Sequence, residues 1–201
     1  MKTLRPFAAG LVICLAQLAA NAQPDTAKIM QNALVFADSL VKADAYETWP
    51  VYADLVIPSV INYYGGKDGY IAYIQKGRAN RTSTEVEEAP VLKPIHLLTE
   101  NEEWQCVIQE SGYIHRDGKK LHIITYLVGQ SRDGGQNWRL FDVGYNKVAS
   151  IIYMMPDVFG DLPIPEHIIK TEEEELAEAK AAEAAQLAAA RAAARKKASK
   201  K

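Results

Sequence analysis

The chain has 201 residues, of which 23 are basic and 25 acidic, so its formal net charge is only −2. A near-neutral balance with no clustered basic stripe lacks the electrostatic footprint of a nucleic-acid-binding protein, and we expect no nucleic-acid partner. The length suits one compact domain, because a chain near 150 residues buries on the order of 70% of its unfolded surface.

The first 22 residues match a secretory signal peptide. Lys2 and Arg5 supply positive charge, residues 7–18 form an apolar run, and small residues precede a cleavage point near Ala22. The run is shorter than the roughly 20 residues that span a bilayer, and no later run is longer. We therefore expect a periplasmic or secreted protein without a transmembrane segment. Its mature chain would carry 21 basic and 25 acidic residues, a net charge of −4.

The two cysteines have different expected roles. Cys14 lies in the signal sequence, and Ile13 before it is not the small residue that a lipoprotein signal requires; lipidation of Cys14 is the minor alternative. Cys106 is the only mature cysteine, so no internal disulfide can form. It alternates with Trp104 and Ile108 on a predicted strand, which favours a buried small apolar residue over a nucleophile.

Helical periodicity dominates residues 25–81. Asp25 or Thr26 can cap a first helix, whose apolar stripe repeats at i, i+4, i+7 and i+11. Thr48 can cap a second helix over 49–56, and Pro58 opens a third over 58–64, ended by glycines 65 and 66. A fourth helix is predicted over 68–81. Helices therefore precede every strand. The first stripe comprises Ile29, Ala33, Phe36 and Leu40.

From residue 84 the apolar period becomes two, which indicates strands at 84–91, 93–98, 103–115, 119–131 and 136–143. Turns are predicted at 99–102, 116–118 and 133–135. Helices followed by an antiparallel meander predict an α+β fold. The strand over 121–130 is apolar on both faces, so each face needs a cover. Helices can cover one face; a second subunit, the returning C-terminal segment or a curled part of the sheet must cover the other.

The C-terminal part changes composition after residue 170. A short helix is predicted over 147–155, and prolines 156, 163 and 165 then keep the chain extended. Residues 171–201 contain 13 alanines, begin with glutamates and end with arginines and lysines, an order that suits the helix macrodipole. We expect one domain over 23–170 and a helical or disordered tail over 171–201. The basic tip at 191–201 offers a weak contact to an anionic envelope surface.

Three motifs resemble a group of secreted bacterial proteins in the nuclear transport factor 2-like superfamily, also called cystatin-like or SnoaL-like. The motifs are Gly65-Gly66-Lys67 before a helix, residues 131–138 followed by Phe141-Asp142, and residues 162–165, Leu-Pro-Ile-Pro. By order of elements the resemblance covers about residues 27–166. It implies helices packed in the concave face of a strongly bent antiparallel sheet, a cone with an apolar pocket. That superfamily contains ketosteroid isomerase, polyketide-cyclase relatives, scytalone dehydratase and many non-enzymes.

Residues 131–138 also resemble the Asp-box hairpin of sialidases, S-x-D-x-G-x-[TN]-W. In sialidases this motif is a structural turn repeated on successive propeller blades, where Asp and Ser cap backbone amides and Trp packs underneath. Here it occurs once, and the chain is too short for a propeller. We therefore expect a structural turn and no glycosidase site.

A predicted pocket gathers apolar residues and two carboxylates from alternate strand positions. Glu110 shares the strand parity of its apolar neighbours, and so does Asp142, so both enter one pocket if both faces are concave. An apolar cone would raise a carboxyl pKa by desolvation and make a general base or a neutral donor. The alternatives are a bulge at Gly112 that turns Glu110 to water, and an Asp142 that bonds backbone amides. The predicted pocket residues are Trp104, Ile108, Glu110, Tyr126, Trp138, Leu140 and Asp142.

Tyrosines are the candidate hydrogen-bond donors of such a pocket. Tyr126 on the central strand is, with Glu110 and Asp142, a candidate catalytic residue, and Tyr52, Tyr63 and Tyr64 lie on the predicted helices. A tyrosine on an amphipathic helix belongs more often to the core or its rim. No tyrosine aligns with a catalytic position of the superfamily.

Metal and cofactor motifs are not found. His115 and His122 flank the predicted turn at 116–118 and offer two metal ligands at best, so we expect exposed strand-end histidines and no metal site. The chain has no glycine-rich phosphate loop, no Gly-x-Ser-x-Gly elbow and no His-Glu-x-x-His pair. Nucleotide, zinc and serine-hydrolase functions lose their usual support, and no cofactor is expected.

These observations favour an exported cone-fold domain that is non-catalytic and binds a small apolar or amphipathic ligand, or a protein partner. One alternative is an enzyme of the isomerase, cyclase or dehydratase kind that uses Glu110 or Asp142 as general base. Another is an interaction module that forms a homodimer through the outer face of its sheet.

Overall fold

The computed structural model describes residues 25–79, 84–86, 89–143 and 148–198. The predicted signal peptide, Cys14 and the end of the basic tip lie outside the described residues. The helices are α1 (Thr26–Ala45), α2 (Trp49–Leu55), α3 (Pro58–Tyr63), α4 (Lys67–Ala79), α5 (Ile151–Met154, preceded by a 3-10 turn over Val148–Ser150) and α6 (Glu172–Ala198). The strands are β1 (Thr84–Val86), β2 (Val91–Glu100), β3 (Glu103–Arg116), β4 (Lys119–Ser131), β5 (Arg139–Asp142) and β6 (Ile168–Thr171).

The N-terminal helices begin and end near the predicted residues. Asp25 caps α1, because its carboxylate accepts a hydrogen bond from the backbone N of Lys28 at 3.1 Å. Thr48 precedes α2, but its side chain does not cap this helix as predicted, since its hydroxyl donates to the carbonyl of Ala43 in α1 at 3.2 Å. Gly65 and Gly66, with φ of +84° and +99°, separate α3 from α4. The buried side of α1 consists of Ile29, Ala33, Ala37, Leu40 and Ala43.

The strands form one strongly curled antiparallel sheet against these helices, which confirms the predicted α+β fold. The long strands β3 and β4 are central; β1 and β2 pair with β3, and β5 and β6 pair with β4. The β3–β4 register runs from Trp104↔Ser131 to Arg116↔Lys119 without a shift. Gly112 is therefore not a bulge in this pairing. The irregularity lies on β2, between Pro94 and His96.

The sheet has an inner face toward the helices, which carries Trp104, Cys106 and Ile108, and an outer face formed by the alternate residues. On the outer face the side chain of Gln105 donates to the carbonyl of Asp157 at 2.7 Å and accepts from the backbone N of Phe159 at 2.9 Å. The returning C-terminal segment thus covers this part of the outer face. The sequence left a second subunit, this segment and a curled part of the sheet as possible covers of the face, and this segment is the one observed at Gln105.

The strand β6 spans Ile168–Thr171 and so ends at the first residue of the predicted tail segment. It pairs with β4 over Leu121–Ile124, where the sequence predicted only extended chain. A capping box then starts α6: the backbone N of Glu174 donates to Thr171 Oγ1 at 3.2 Å, and the backbone N of Thr171 donates to Glu174 Oε2 at 2.8 Å. The tail is therefore attached to the sheet through its first turn.

Among the described residues, no helix has the length and apolar character needed to cross a membrane.

Candidate functional site

The two predicted carboxylates lie on the same face of the sheet. Glu110 on β3 is the register partner of Thr125, and Asp142 on β5 is the partner of Leu127. Register partners share a face, and Thr125 and Leu127 are two residues apart on β4, so all four side chains belong to the inner face. Thr125 Oγ1 also donates a hydrogen bond to Asp142 Oδ1 at 3.2 Å. Glu110 and Asp142 are called the carboxyl pair below.

Burial and neighbouring charge keep one member of the carboxyl pair neutral. The residue Glu110 is only half-buried as a whole, yet burial of its carboxyl raises its pKa to about 8. The negative charges of Asp142 and of Asp44, near the end of α1, are the smaller causes of this raised pKa. At pH 7 the Glu110 carboxyl is therefore mostly protonated and can donate a hydrogen bond.

Two tyrosines from the helices face the carboxyl pair. Tyr52 on α2 and Tyr70 on α4 are buried, their rings stack at a centroid distance of 6.3 Å, and their hydroxyls hydrogen-bond. Burial raises the pKa of both hydroxyls well above the ordinary value, and the charge of Asp142 contributes to both shifts. The helices thus bring phenol groups to the carboxyl pair. Tyr52 was a candidate donor from the sequence, whereas Tyr70, on the predicted fourth helix, was not.

The other predicted pocket residues on the inner face belong to the core. Trp104, Ile108, Trp138 and Leu140 are buried there. Beside them Cys106 is fully buried, as predicted, and burial raises the pKa of its thiol to about 12, so no thiolate forms at neutral pH.

The placement of Tyr126 with the carboxyl pair is wrong. The register partner of Tyr126 is Gln109, whose side chain alternates with that of Glu110 along β3. Tyr126 therefore lies on the outer face, where it is buried. Residues 121–130 are apolar at both parities, so the sequence pattern did not indicate which parity faces the helices.

Two open surface hollows, each of about 390 Å³, are found among the described residues. One lies where the start of α1 meets β2, between Met30 and Ile95. The other lies beside the β2–β3 turn, between Glu103 and Phe159. Neither is lined by the carboxyl pair, so neither is the apolar pocket predicted from the sequence.

The hairpin motif at 131–138 forms the expected structural turn. Asp133 Oδ1 accepts hydrogen bonds from the backbone N of Gln136 and Asn137 at 3.1 and 2.9 Å, and Ser131 Oγ accepts one from the backbone N of Gly135 at 3.1 Å. The bonds from Asn137 are the main cause that lowers the pKa of Asp133 to about 2. Trp138 packs underneath, fully buried.

This turn also fixes the position of α1 on the sheet. Asn32 Nδ2 donates to the carbonyls of Gly135 and Gln136 at 2.7 and 2.5 Å. Gly135 has a φ of +82°, and a Cβ there would lie 2.7 Å from Cγ2 of Ile29. The motif therefore connects the hairpin to α1 through hydrogen bonds and close packing.

The histidines of the predicted turn lie on the outer face of the sheet. The register partner of His115 is Lys120, and that of His122 is Tyr113. The described residues contain no group of three side chains that could hold a metal ion. His122 instead hydrogen-bonds Ser111 and Glu175.

Fold and site together define an α+β protein with a strongly curled antiparallel sheet and a carboxyl pair on its helix-facing side. Comparison of the chain with protein-family models, with curated proteins and with solved structures finds no match. The structural class of this protein is therefore described by its fold alone.

Proposed function

We propose that this protein is an exported cone-fold domain of the nuclear transport factor 2-like superfamily that binds a small amphipathic ligand on the inner face of its sheet. The single observation that carries the proposal is the carboxyl pair, in which Glu110 has a pKa of about 8 beside Asp142. The curled sheet and the helices packed in it are compatible with such a cone.

An unpaired acid at this position is unfavourable for stability. Raising the pKa of Glu110 from 4.5 to about 8 costs on the order of 3 kcal/mol of folding free energy at pH 7. An apolar or amide side chain would avoid that cost. Carboxyls with strongly shifted pKa values are concentrated at functional sites, where the function requires a group that destabilises the fold. The shifted pKa therefore supports a binding role for Glu110.

The surroundings of the carboxyl pair indicate the chemistry of the ligand. The protonated Glu110 can donate a hydrogen bond to a carbonyl or hydroxyl oxygen, and the Tyr52 and Tyr70 hydroxyls lie near Asp142. Ile108 and Leu127, both buried on the same face, make the surroundings of the carboxyl pair apolar. A mostly apolar ligand with one or two polar oxygens fits this combination.

Thermal unfolding with a panel of sterols, fatty acids and aromatic polyketides tests the proposal. We expect at least one compound to raise the Tm, with an affinity that falls as the pH rises through about 8, because Glu110 then loses the proton it donates. Glu110→Leu should weaken the binding of that compound about fivefold, since one hydrogen bond is worth roughly 1 kcal/mol.

The matched control is Glu100→Leu, the same substitution at the exposed end of β2. It should leave the affinity unchanged. A panel that leaves the wild-type Tm unaltered, or a binder that is indifferent to Glu110→Leu at every pH, would overturn the proposal.

A proton-transfer enzyme is the second candidate, and the charge interaction between the two acids favours it. The neutral Glu110 can donate a proton to a ligand while the neighbouring Asp142 carboxylate accepts one from it. Incubation of a bound carbonyl compound in D₂O tests it by mass spectrometry. Deuterium incorporation that Asp142→Asn abolishes, with binding retained, is expected; a ligand that stays free of deuterium argues against catalysis.

A further inference from the structure

Three polar side chains meet on the outer face of the sheet. Ser111 lies on β3, His122 on β4 and Glu175 in the first turn of α6. Ser111 Oγ lies 2.9 Å from His122 Nε2, and His122 Nδ1 hydrogen-bonds Glu175 Oε1. These three residues, called the relay below, place a hydroxyl, an imidazole and a carboxylate in series.

The hydrogen bonds of the relay determine the protonation of the imidazole. A carboxylate can only accept, so the proton of a neutral His122 resides on Nδ1, where it is donated to Glu175. The lone pair of Nε2 then faces Ser111, whose O–H donates to it. This is the tautomer that a general base needs to take a proton from a serine hydroxyl.

The fold holds the imidazole in place from several sides. Tyr113 is the register partner of His122, and its ring stacks on the imidazole at a centroid distance of 4.6 Å. The Tyr113 hydroxyl donates to the second oxygen of Glu175 at 3.2 Å. The capping box at Thr171 fixes where α6 begins, and the positive end of the helix dipole favours the Glu175 carboxylate.

The relay is partly open to solvent. The side chains of His122 and Glu175 are 15% and 29% exposed, and Ser111 is half-buried. A small molecule can therefore approach the relay from the side of His122 and Glu175. The relay also lies on the face opposite the carboxyl pair, so it is independent of the function proposed above.

We propose that the relay is a second, catalytic site, in which Ser111 is a nucleophile that accepts the acyl group of a small ester and passes it to water. His122 is the general base, and Glu175 is the positioning residue that orients it. The sequence around Ser111 does not form a Gly-x-Ser-x-Gly elbow. The three groups of the relay are brought together by strand register and by the helix cap at Thr171.

The reaction proceeds in two balanced steps. Ser111 Oγ bonds to the ester carbonyl carbon while its proton moves to His122 Nε2, and the ester C–O bond then breaks as His122 returns the proton to the leaving alcohol. Water next gives a proton to Nε2 as its oxygen attacks the acyl carbon. The bond to Ser111 breaks, the serine recovers its proton from His122, and a carboxylic acid leaves.

A fluorophosphonate probe applied to the full folded chain tests the nucleophile directly. The serine oxygen displaces fluoride from phosphorus, and peptide mass spectrometry locates the adduct. We expect the adduct on Ser111 and slow hydrolysis of p-nitrophenyl acetate. Ser111→Ala should abolish both. The control Ser39→Ala removes an exposed hydroxyl on α1, which donates to the carbonyl of Val35, and should retain both.

The role of Glu175 is tested by Glu175→Gln against Glu173→Gln, which makes the same charge change in the same helical turn at an exposed position. We expect Glu175→Gln to lower kcat/KM about 10²-fold or more, and Glu173→Gln to leave it within about twofold. The loss should fall on kcat, with KM within about twofold of the wild type, a split that a merely structural role would not produce. The charged and titratable side chains around His122 are Glu175, Tyr113 and Lys170, the β6 register partner of His122, with Lys120 and Glu172 beyond Tyr113.

The proposal is overturned if the unaltered, folded chain shows no adduct on Ser111, or if Ser111→Ala retains the full rate of hydrolysis. Equal effects of Glu175→Gln and Glu173→Gln would remove Glu175 from the relay. Because the adduct is mapped on the unaltered chain, the first result decides the question even if Ser111→Ala folds poorly.

Discussion

Glu110 illustrates how surroundings change a single residue. Its sequence neighbours on β3 only indicate that it shares a face with apolar side chains. The fold then buries its carboxyl near the negative charges of Asp142 and Asp44. The result is an acid that keeps its proton at neutral pH, which gives the folded state a pH dependence that can be measured.

Glu110→Gln should make the protein more stable at alkaline pH. The folded pKa of about 8 exceeds the unfolded value of 4.5, so the folded state binds more protons between these pH values and the free energy of unfolding falls as the pH rises through that window. The amide removes this loss. Urea denaturation should show wild type and variant similar near pH 4 and apart by on the order of 4 kcal/mol at about pH 8 and above.

The control for this measurement is Glu100→Gln, at an exposed position. Its unfolding free energy should follow that of the wild type at each pH. If Glu110→Gln and the wild type stay parallel from about pH 4 to pH 9, the carboxyl of Glu110 is not held neutral by the fold.

Asp133 has the opposite pH behaviour. Its folded pKa of about 2 lies below the ordinary 3.8, so its contribution to stability is complete above about pH 4 and is lost as the pH falls through 2. Asp133→Ala leaves the backbone N of Gln136 and Asn137 without this acceptor. We expect a loss of about 1–2 kcal/mol in urea denaturation at pH 7, as for a deleted helix cap. The exposed Asp161→Ala serves as control and should change little; a similar loss in both variants would contradict the assignment.

At the scale of elements, α6 consists of two parts with different roles. Its first turn is attached to the sheet through the capping box and through Glu175, whereas residues 177–192 are exposed. An alanine-rich helix needs no tertiary face to form, but it adds nothing to the core. We therefore expect the cooperatively folded unit to end inside this helix.

Two truncations test this boundary. Ending the chain after residue 180 should leave the free energy of unfolding within about 0.5 kcal/mol of the full length, because only exposed helix is lost. Ending it after residue 166 removes β6 and the four residue pairs it makes with β4. We expect that variant to lose about 2–4 kcal/mol, roughly 1 kcal/mol per pair. Equal stability of the two variants would place β6 outside the cooperative unit.

The variant that ends after residue 180 also tests the role of the basic tip. We propose that residues 191–201 contribute a weak contact to an anionic surface, since clustered Lys and Arg gain roughly 1 kcal/mol each near such a surface. Binding of the full chain to vesicles with anionic lipid should then exceed that of the chain ended at residue 180. Equal binding would exclude this role.

At the scale of the whole molecule, the continuous β3–β4 register determines both candidate sites. It directs Glu110 toward the helices and Ser111 toward the opposite side. A slip of one residue would exchange the faces of every side chain on a strand, so both sites depend on the same register. The outer face is partly covered by the C-terminal segment at Gln105 and by α6 at His122. Dimerisation through that face stays a prediction.

Local patterns allowed much of the fold to be predicted. Caps and glycines marked the helices at Asp25 and Gly65, because these signals depend on a few adjacent residues. The period of two placed Glu110 and Asp142 correctly on faces with their apolar neighbours. It could not decide the face of Tyr126, because a strand with two apolar parities carries no local sign of which side the helices cover.

The sequence by itself determined the α+β order, the hairpin turn at Asp133 and the apolar surroundings of Glu110, since each depends on residues close together in the chain. Only the tertiary structure decided that β6 joins the sheet and that Glu175 reaches His122 and, through it, Ser111. Those groups are 53 and 11 residues apart, and their meeting depends on strand pairing and on the point where α6 begins. Contacts between distant residues follow from how the whole sheet curls, which no short stretch of sequence contains.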